Sequence, residues 1–178
     1  MKYLLFFLVV LFAGISVFSQ TSREDGINLY RVGDFEKSTE VLKAVTTADK
    51  KDQIAWVYLG ASLYRSGKLK EAGTAFKKGK AKVEDLVPGD DSPVSSFKKP
   101  RPHYTDMARQ NLTTGVVKVV VELGTDGKIG FVYPVQALPN GLTEESIAAA
   151  RNITFTPAMK KGNPVRTVAI VEYTFDIY

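Results

Sequence analysis

Few side chains in this sequence could perform chemistry. Among its 178 residues His103 is the single histidine, and cysteine is absent. Thiol catalysis, cysteine-ligated zinc and iron–sulfur clusters are therefore excluded. A histidine without a neighbouring cysteine or acidic cluster is a weak indication of a metal site. Asp90 and Asp91 stand beside Gly89 and Pro93, which is the composition of a solvated loop rather than of paired catalytic acids.

Motifs of known enzyme classes are also missing from the sequence. The run Gly124-Thr-Asp-Gly127 lacks the Gly-Lys-Ser/Thr of a phosphate-binding loop and is better explained as a hairpin turn. We find no serine–histidine–acid set and no metalloprotease motif. We therefore predict no catalytic residue, no metal, no cofactor and no enzymatic activity. The net charge is only +5, and the basic residues are scattered along the sequence. Nucleic-acid binding usually needs a clustered basic patch, so we predict no nucleic-acid partner.

The N-terminus has the pattern of an export signal. Met1-Lys2 supplies a positive start, and the uncharged run Tyr3 to Phe18 ends before small and polar residues. This pattern predicts a secretory signal peptide of residues 1–19, cleaved after Ser19, and a periplasmic protein. The alternative is an uncleaved anchor in the inner membrane, although the run is slightly short of the roughly 17 residues that span a bilayer.

A repeat with a period of 34 residues follows the signal. The segment from Gly26 to Gly33 aligns with the segment from Gly60 to Gly67. The alignment continues until Leu42, which aligns with Phe76. The period and the pattern of Trp56, Gly60, Tyr64, Ala72 and Phe76 resemble tetratricopeptide helix hairpins, of which about three are usually needed to bury a core. Residues 20–85 are therefore predicted to form two hairpins. These must pack on a following helix, on the C-terminal domain or on a partner.

The remainder of the chain reads as a linker followed by a small α+β domain. Residues 86–102 are rich in proline and charge and contain Gly89, which indicates a linker. Residues 103–178 contain two runs of period-two alternation joined by a tight turn at 125–128, a helix with its N-cap at Thr143, and a last alternating strand over 165–177. With a short helix near 105–111, the order is α-β-β-α-β, and we expect a three-stranded antiparallel sheet.

This last segment resembles the C-terminal domain of the TonB energy-transducer family. The matching pieces are Pro102-His-Tyr104 with Ala108-Arg109, Gly115 to Val119, Asp126 to Ile129, Phe155 to Ala158 and Gly162 to Val165. One departure is Thr105, where the family usually has proline. The family's membrane-helix histidine and its long proline-rich spacer have no counterpart in this sequence.

The resemblance implies a protein-binding function. Members of the family capture a short peptide from an outer-membrane transporter by adding it to a sheet edge, which here is expected to be the last strand. The partner-binding residues that this implies are Arg101, His103, Tyr104, Arg166, Val168, Ile170, Glu172 and Thr174.

Our first hypothesis is a periplasmic adaptor whose sheet captures such a peptide while the helical repeats bind a second, unknown protein. Two alternatives stay open at this point. One is a membrane-anchored energy transducer, and the other is a structural scaffold that self-associates, for example as a homodimer through the sheet edge.

Overall fold

A computed structural model describes residues 22–80 and 92–177. The predicted signal peptide of residues 1–19 and residues 86–91 of the predicted linker lie outside the described residues. The described helices and strands are, in chain order, α1 (Arg23–Val32), α2 (Phe35–Ala48), α3 (Gln53–Arg65), α4 (Leu69–Lys78), β1 (Ser95–Lys98), α5 (Asp106–Gln110), β2 (Gly115–Leu123), β3 (Ile129–Gln136), α6 (Leu142–Arg151), β4 (Thr154–Thr156), β5 (Ala158–Lys160), β6 (Asn163–Val165) and β7 (Thr167–Phe175).

The four N-terminal helices form two consecutive hairpins, α1–α2 and α3–α4, that pack on each other. Gly33 and Gly67 adopt positive φ angles of 88° and 75° where the first helix of each hairpin ends, a conformation that glycine adopts without steric cost. Ser22 caps α1 through a reciprocal capping box with Asp25, which satisfies backbone donors at the helix start. Local sequence therefore specifies where these helices begin and turn.

Two glycines that are 34 residues apart perform the same packing role. A Cβ at Gly26 would lie 2.5 Å from the Leu42 side chain, and a Cβ at Gly60 would overlap the Phe76 ring. Each glycine thus lets the two helices of its hairpin approach until a large side chain covers the backbone. The equivalence of the two hairpins holds in three dimensions, while their membership of the tetratricopeptide class stays a prediction.

We expect Gly60→Ala to lower the free energy of unfolding by about 1–3 kcal/mol, the usual cost of overpacking a core. The added methyl group would overlap the Phe76 ring, which is buried and cannot swing into solvent. Urea denaturation followed by the fluorescence of Trp56, the single tryptophan, measures the change. Thr74→Ala on the exposed face of α4 is the control. A cost for Gly60→Ala no larger than that of the control would contradict the packing described.

The C-terminal part is built on a three-stranded antiparallel sheet in the order β3-β2-β7. The hairpin between β2 and β3 turns at Gly127, whose φ is 76°, and Lys128 donates its backbone N–H to the Asp126 carboxylate. Four helices precede this domain, and α5 and α6 lie within it. The predicted α+β class and the α-β-β-α-β order of the main elements are therefore confirmed.

Several details differ from the sequence prediction. Helix α6 begins at Leu142 with Gly141 as its N-cap, while the Thr143 hydroxyl bonds to the Leu138 backbone instead of capping the helix. Ahead of β7 the chain forms the short hairpin β5–β6, which the alternation pattern did not predict. Strand β1 pairs with β4, so residues 95–98 of the predicted linker pair with the C-terminal domain. These strands have three or four residues, too few to show a period.

The three-stranded sheet lies between two helical layers. On one face Phe131 of β3 stacks on Tyr64 of α3 with ring centroids 4.4 Å apart; the other face packs against α6. Strand β2 is consequently buried on both faces from Val119 to Leu123. A single apolar cluster includes residues of both halves of the chain, so the two hairpins complete their core by packing on the C-terminal sheet.

Among residues 22–80 and 92–177, no helix combines the length and the apolar character that crossing a membrane requires.

Candidate functional site

Strand β7 forms one edge of the three-stranded sheet. It pairs with β2 from Thr167 to Phe175 without a bulge, and no described strand pairs with its other side. In an antiparallel ladder the backbone N–H and C=O of alternate residues point away from the neighbouring strand. Two contacts identify these residues: the Val168 backbone faces the Tyr58 hydroxyl, and the Glu172 carbonyl accepts from Lys99 Nζ at 2.5 Å. The even-numbered residues 168, 170, 172 and 174 therefore present their backbone groups at the edge.

The first part of this edge is covered by the helical hairpins. Val168 is fully buried, and its backbone faces Tyr58, whose pKa is raised by burial. Arg166, just before the strand, lies with its guanidinium 5.9 Å from the Tyr30 and Phe35 ring centroids. Arg166 and Val168 were both predicted to contact a partner. Their side chains instead join the hairpins to the sheet.

A buried carboxylate organises that junction. Glu122 of β2 is 1% exposed and accepts hydrogen bonds from the Tyr30 hydroxyl and from Arg65, whose Nε lies 3.1 Å from Glu122 Oε2. Arg166 Nε approaches the same carboxylate at 3.6 Å. Burial and then the Glu122 charge hold the pKa of Tyr30 well above its ordinary value, whereas the hydrogen bond to Glu122 raises the pKa of Arg65. Tyr30 therefore stays protonated and donates, and Arg65 stays charged.

The second part of the edge is more accessible. Ile170 is half-buried, Thr174 is exposed, and the Glu172 carboxylate pairs with Lys118 of β2 at 2.7 Å. Lys99 reaches this part from outside the sheet. Its Nζ donates a hydrogen bond to the Glu172 carbonyl and lies 4.8 Å from the Tyr173 ring centroid. A lysine at a sheet edge is a common means of discouraging unwanted strand pairing.

The predicted residues Arg101, His103 and Tyr104 follow Lys99 in the sequence, and Tyr104 lies near the C-terminal end of β7. The Tyr104 ring lies 5.8 Å from that of Phe175, the final residue of β7. Its hydroxyl donates to the Thr113 carbonyl at 2.8 Å, and Arg109 lies over the ring. Arg101 and His103 are exposed. The structure therefore brings Tyr104 to the C-terminal end of β7, with two exposed basic side chains preceding it.

An apolar cleft adjoins the accessible part of β7 on the face that carries the hairpins. Its volume is about 230 Å³. It is lined by Phe76, Lys77, Gly79 and Lys80 at the end of α4 and by Lys118, Val135, Gln136, Ile170 and Glu172 of the sheet. Two predicted site residues, Ile170 and Glu172, thus form part of a concave surface.

Sequence reasoning did not identify Lys99, the α4 lysines or the Glu122 cluster. For Glu122 a signal was present, because it is the one acid within the apolar run Val116 to Leu123, and a charge that interrupts a buried strand needs partners. For the lysines no sequence signal existed, since they reach β7 only through the packing of α4 and of the segment after β1. Within the described ranges, no group of acidic, histidine or cysteine side chains is suited to hold a metal.

Residues 100–177 match the family model for the Gram-negative bacterial TonB protein C-terminal. Among solved structures, the chain is similar to the solution NMR structure of the Pseudomonas aeruginosa TonB CTD, with 26% identity over 47% of this chain and 88% of that chain and a TM-score of 0.37. A search of curated proteins finds no match.

The family match confirms the predicted TonB C-terminal resemblance for this part of the chain. Domains of this family interact with outer-membrane transporters, take part in energy transduction and are not enzymes. TonB-family proteins are periplasmic or associated with the cell envelope. The family model does not extend over the helical hairpins, so a tetratricopeptide identity and a partner for that region stay predictions.

Proposed function

From a TonB-type C-terminal domain whose last strand is a sheet edge, we propose that this protein is a periplasmic adaptor. It captures an extended peptide, such as a segment of an outer-membrane transporter, along β7. The observation that carries the proposal is the second part of that edge, where the backbone groups of residues 170, 172 and 174 point away from β2 and no described strand pairs with them. An extended peptide can satisfy such groups and continue the sheet.

The proposed site is narrower than the strand as a whole. Val168 is fully buried and its backbone faces Tyr58, so a peptide would pair from Ile170 onward, and Lys99 would have to leave the Glu172 carbonyl. Lys99 is held there by an exposed hydrogen bond and by its contact with the Tyr173 ring, and its ammonium can be hydrated when it leaves. Arg101, His103 and Tyr104 would flank the C-terminal end of the bound segment.

We also propose that the helical hairpins, if they bind a second protein, do so away from the sheet. The faces of α1 and α3 that carry Tyr30, Tyr58 and Tyr64 are covered by the sheet. A groove of about 310 Å³ between α2, α3 and α4, with Trp56 and Leu59 among its lining residues, is open on the opposite side.

Amide hydrogen exchange tests the capture of a peptide directly. We expect synthetic peptides from the periplasmic N-termini of outer-membrane transporters to bind saturably and to slow exchange at Ile170, Glu172 and Thr174, whose N–H groups face outward. The amides of Val171 and Tyr173, which face β2, should be protected before and after peptide addition. Lys99→Met, which removes the lysine hydrogen bond to the Glu172 carbonyl, should bind at least as tightly as the native chain.

The alternative of a self-associating scaffold predicts a different result. If the edge is occupied by a second copy, the amides at 170, 172 and 174 will already be protected in the free protein, and no peptide will bind. Protection that weakens on dilution would then identify a homodimer. Binding without any change at β7 would refute strand addition at this edge.

A further inference from the structure

The helical hairpins contribute a wall to the cleft beside β7, and a TonB-type domain alone would lack that wall. Phe76, Lys77, Gly79 and Lys80 come from the end of α4, while the floor comes from the face of the sheet that the hairpins cover. The floor crosses all three strands, from Val135 of β3 through Lys118 of β2 to Ile170 of β7. The cleft thus joins the two halves of the chain at the proposed edge.

The size of the cleft suits side chains better than a whole small molecule. Its volume of about 230 Å³ is below the roughly 300–1,000 Å³ typical of ligand pockets. The cleft is apolar where Phe76 of the wall meets Val135 and Ile170 of the floor. Side chains of neighbouring strands that stand directly opposite each other share a face of the sheet. A peptide residue paired opposite Ile170 would therefore project its side chain toward this apolar part of the cleft.

The described lining residues of the cleft carry more positive than negative charge. Three of them are lysines, whereas one, Glu172, is an acid and pairs with Lys118. Lys99 adds a further positive charge at the strand edge beside Glu172. Lys77 and Lys80 are exposed at the end of α4, and among the described residues neither takes part in an ion pair. Acidic side chains next to an apolar one would complement this surface.

We propose that the α4 wall makes the β7 site selective for an extended peptide that places an apolar side chain between acidic ones on a single face. This inference rests on the proposed strand addition and adds the helical hairpins as the element that selects the peptide. Because a strand alternates its side chains between two faces, the selected pattern has the acids two residues before and two residues after the apolar residue.

Three seven-residue peptides of defined pattern test the inference with the full chain in mild detergent. The first is Thr-Glu-Thr-Leu-Thr-Glu-Thr, the second replaces both glutamates by lysine, and the third moves both glutamates by one position onto the opposite face. Calorimetry at low salt should show the first binding at least about fivefold more tightly than the other two. The preference should shrink in 0.5 M salt, since exposed charges are then screened.

Matched lysine variants assign the selectivity to the cleft. Lys77→Gln with Lys80→Gln should remove most of the preference for the first peptide. Lys68→Gln with Lys70→Gln makes the same change in charge at the other end of α4, outside the cleft, and should leave the preference intact. All four side chains are exposed, so neither double variant should disturb folding.

The outcomes separate this inference from the proposed function. If all three peptides protect the β7 amides with equal affinity, or if the two lysine variants behave alike, strand addition stands and the selectivity proposal is refuted. If no peptide protects β7, both are refuted. A protein that stays dimeric and binds no peptide would mean that a second copy occupies the edge, which also overturns both.

Discussion

Replacing Ile170 by proline is expected to weaken peptide capture at least tenfold while the protein stays folded. The ladder alternation places the Ile170 N–H on the outer side of β7. Proline has no N–H, so a peptide carbonyl that should accept from it is left unpaired. On an edge strand, proline is tolerated where the missing donor faced away from the sheet. Calorimetry with a transporter peptide measures the loss of affinity.

Two control variants separate the loss of the outward N–H from a change in the side chain or in the sheet. Ile170→Val keeps the N–H and a β-branched side chain, so its affinity should stay close to that of the native chain. Val171→Pro removes a donor that faces β2 and alters a buried position, so it should destabilise the sheet and not only the peptide complex. Unchanged binding by a folded Ile170→Pro protein would count against strand addition.

Loss of the Arg65 guanidinium is expected to have the largest effect on stability. Arg65 bonds to both oxygens of Glu122, a carboxylate that is 1% exposed. Arg65→Met would leave that charge with Tyr30 and the more distant Arg166 alone. Breaking a buried ion pair costs about 3–5 kcal/mol. Because Arg65 itself is 35% exposed, we expect the free energy of unfolding to fall by about 3 kcal/mol, the lower end of that range.

Urea denaturation followed by Trp56 fluorescence measures this change, and two further variants define its cause. Arg23→Met removes a comparable but exposed contact with Asp52, in which Arg23 is 46% exposed, and should cost about 0–1 kcal/mol. Adding Glu122→Gln to Arg65→Met neutralises the buried group, so the double variant should be more stable than Arg65→Met alone. If Arg65→Met costs no more than Arg23→Met, Glu122 is not a significant link between the hairpins and the sheet.

Together these two predictions assign different roles to neighbouring parts of β7. Residues 166–168 are committed to the interface with the hairpins, because Arg166 approaches Glu122 and Val168 is buried beneath α3. The outward backbone groups of residues 170, 172 and 174 belong to the part of the edge where we propose that a peptide pairs. A variant in the first group should change stability, whereas a variant such as Ile170→Pro should change binding.

The sequence by itself determined the main elements of the C-terminal domain and its resemblance to the TonB family. Gly33 and Gly67 mark the turns of the hairpins because only glycine adopts positive φ easily. Alternation over Val117 to Leu123 and over Val165 to Ile177 predicted β2 and β7 because side chains on a strand have a period of two. These are local rules, so they can be read without knowing what packs against each element.

Only the tertiary structure decided how the two halves of the chain meet. The 34-residue repeat left open whether the hairpins pack on a further helix, on the C-terminal domain or on a partner. The aromatic contacts of Tyr64 with Phe131 and of Phe76 with Tyr133 answer that question. Alternation in β7 identified its two faces but not which backbone groups point outward or which part of the edge is covered. Those properties depend on Tyr58, Lys99 and α4, which are distant in sequence and reach the strand only when the chain is folded.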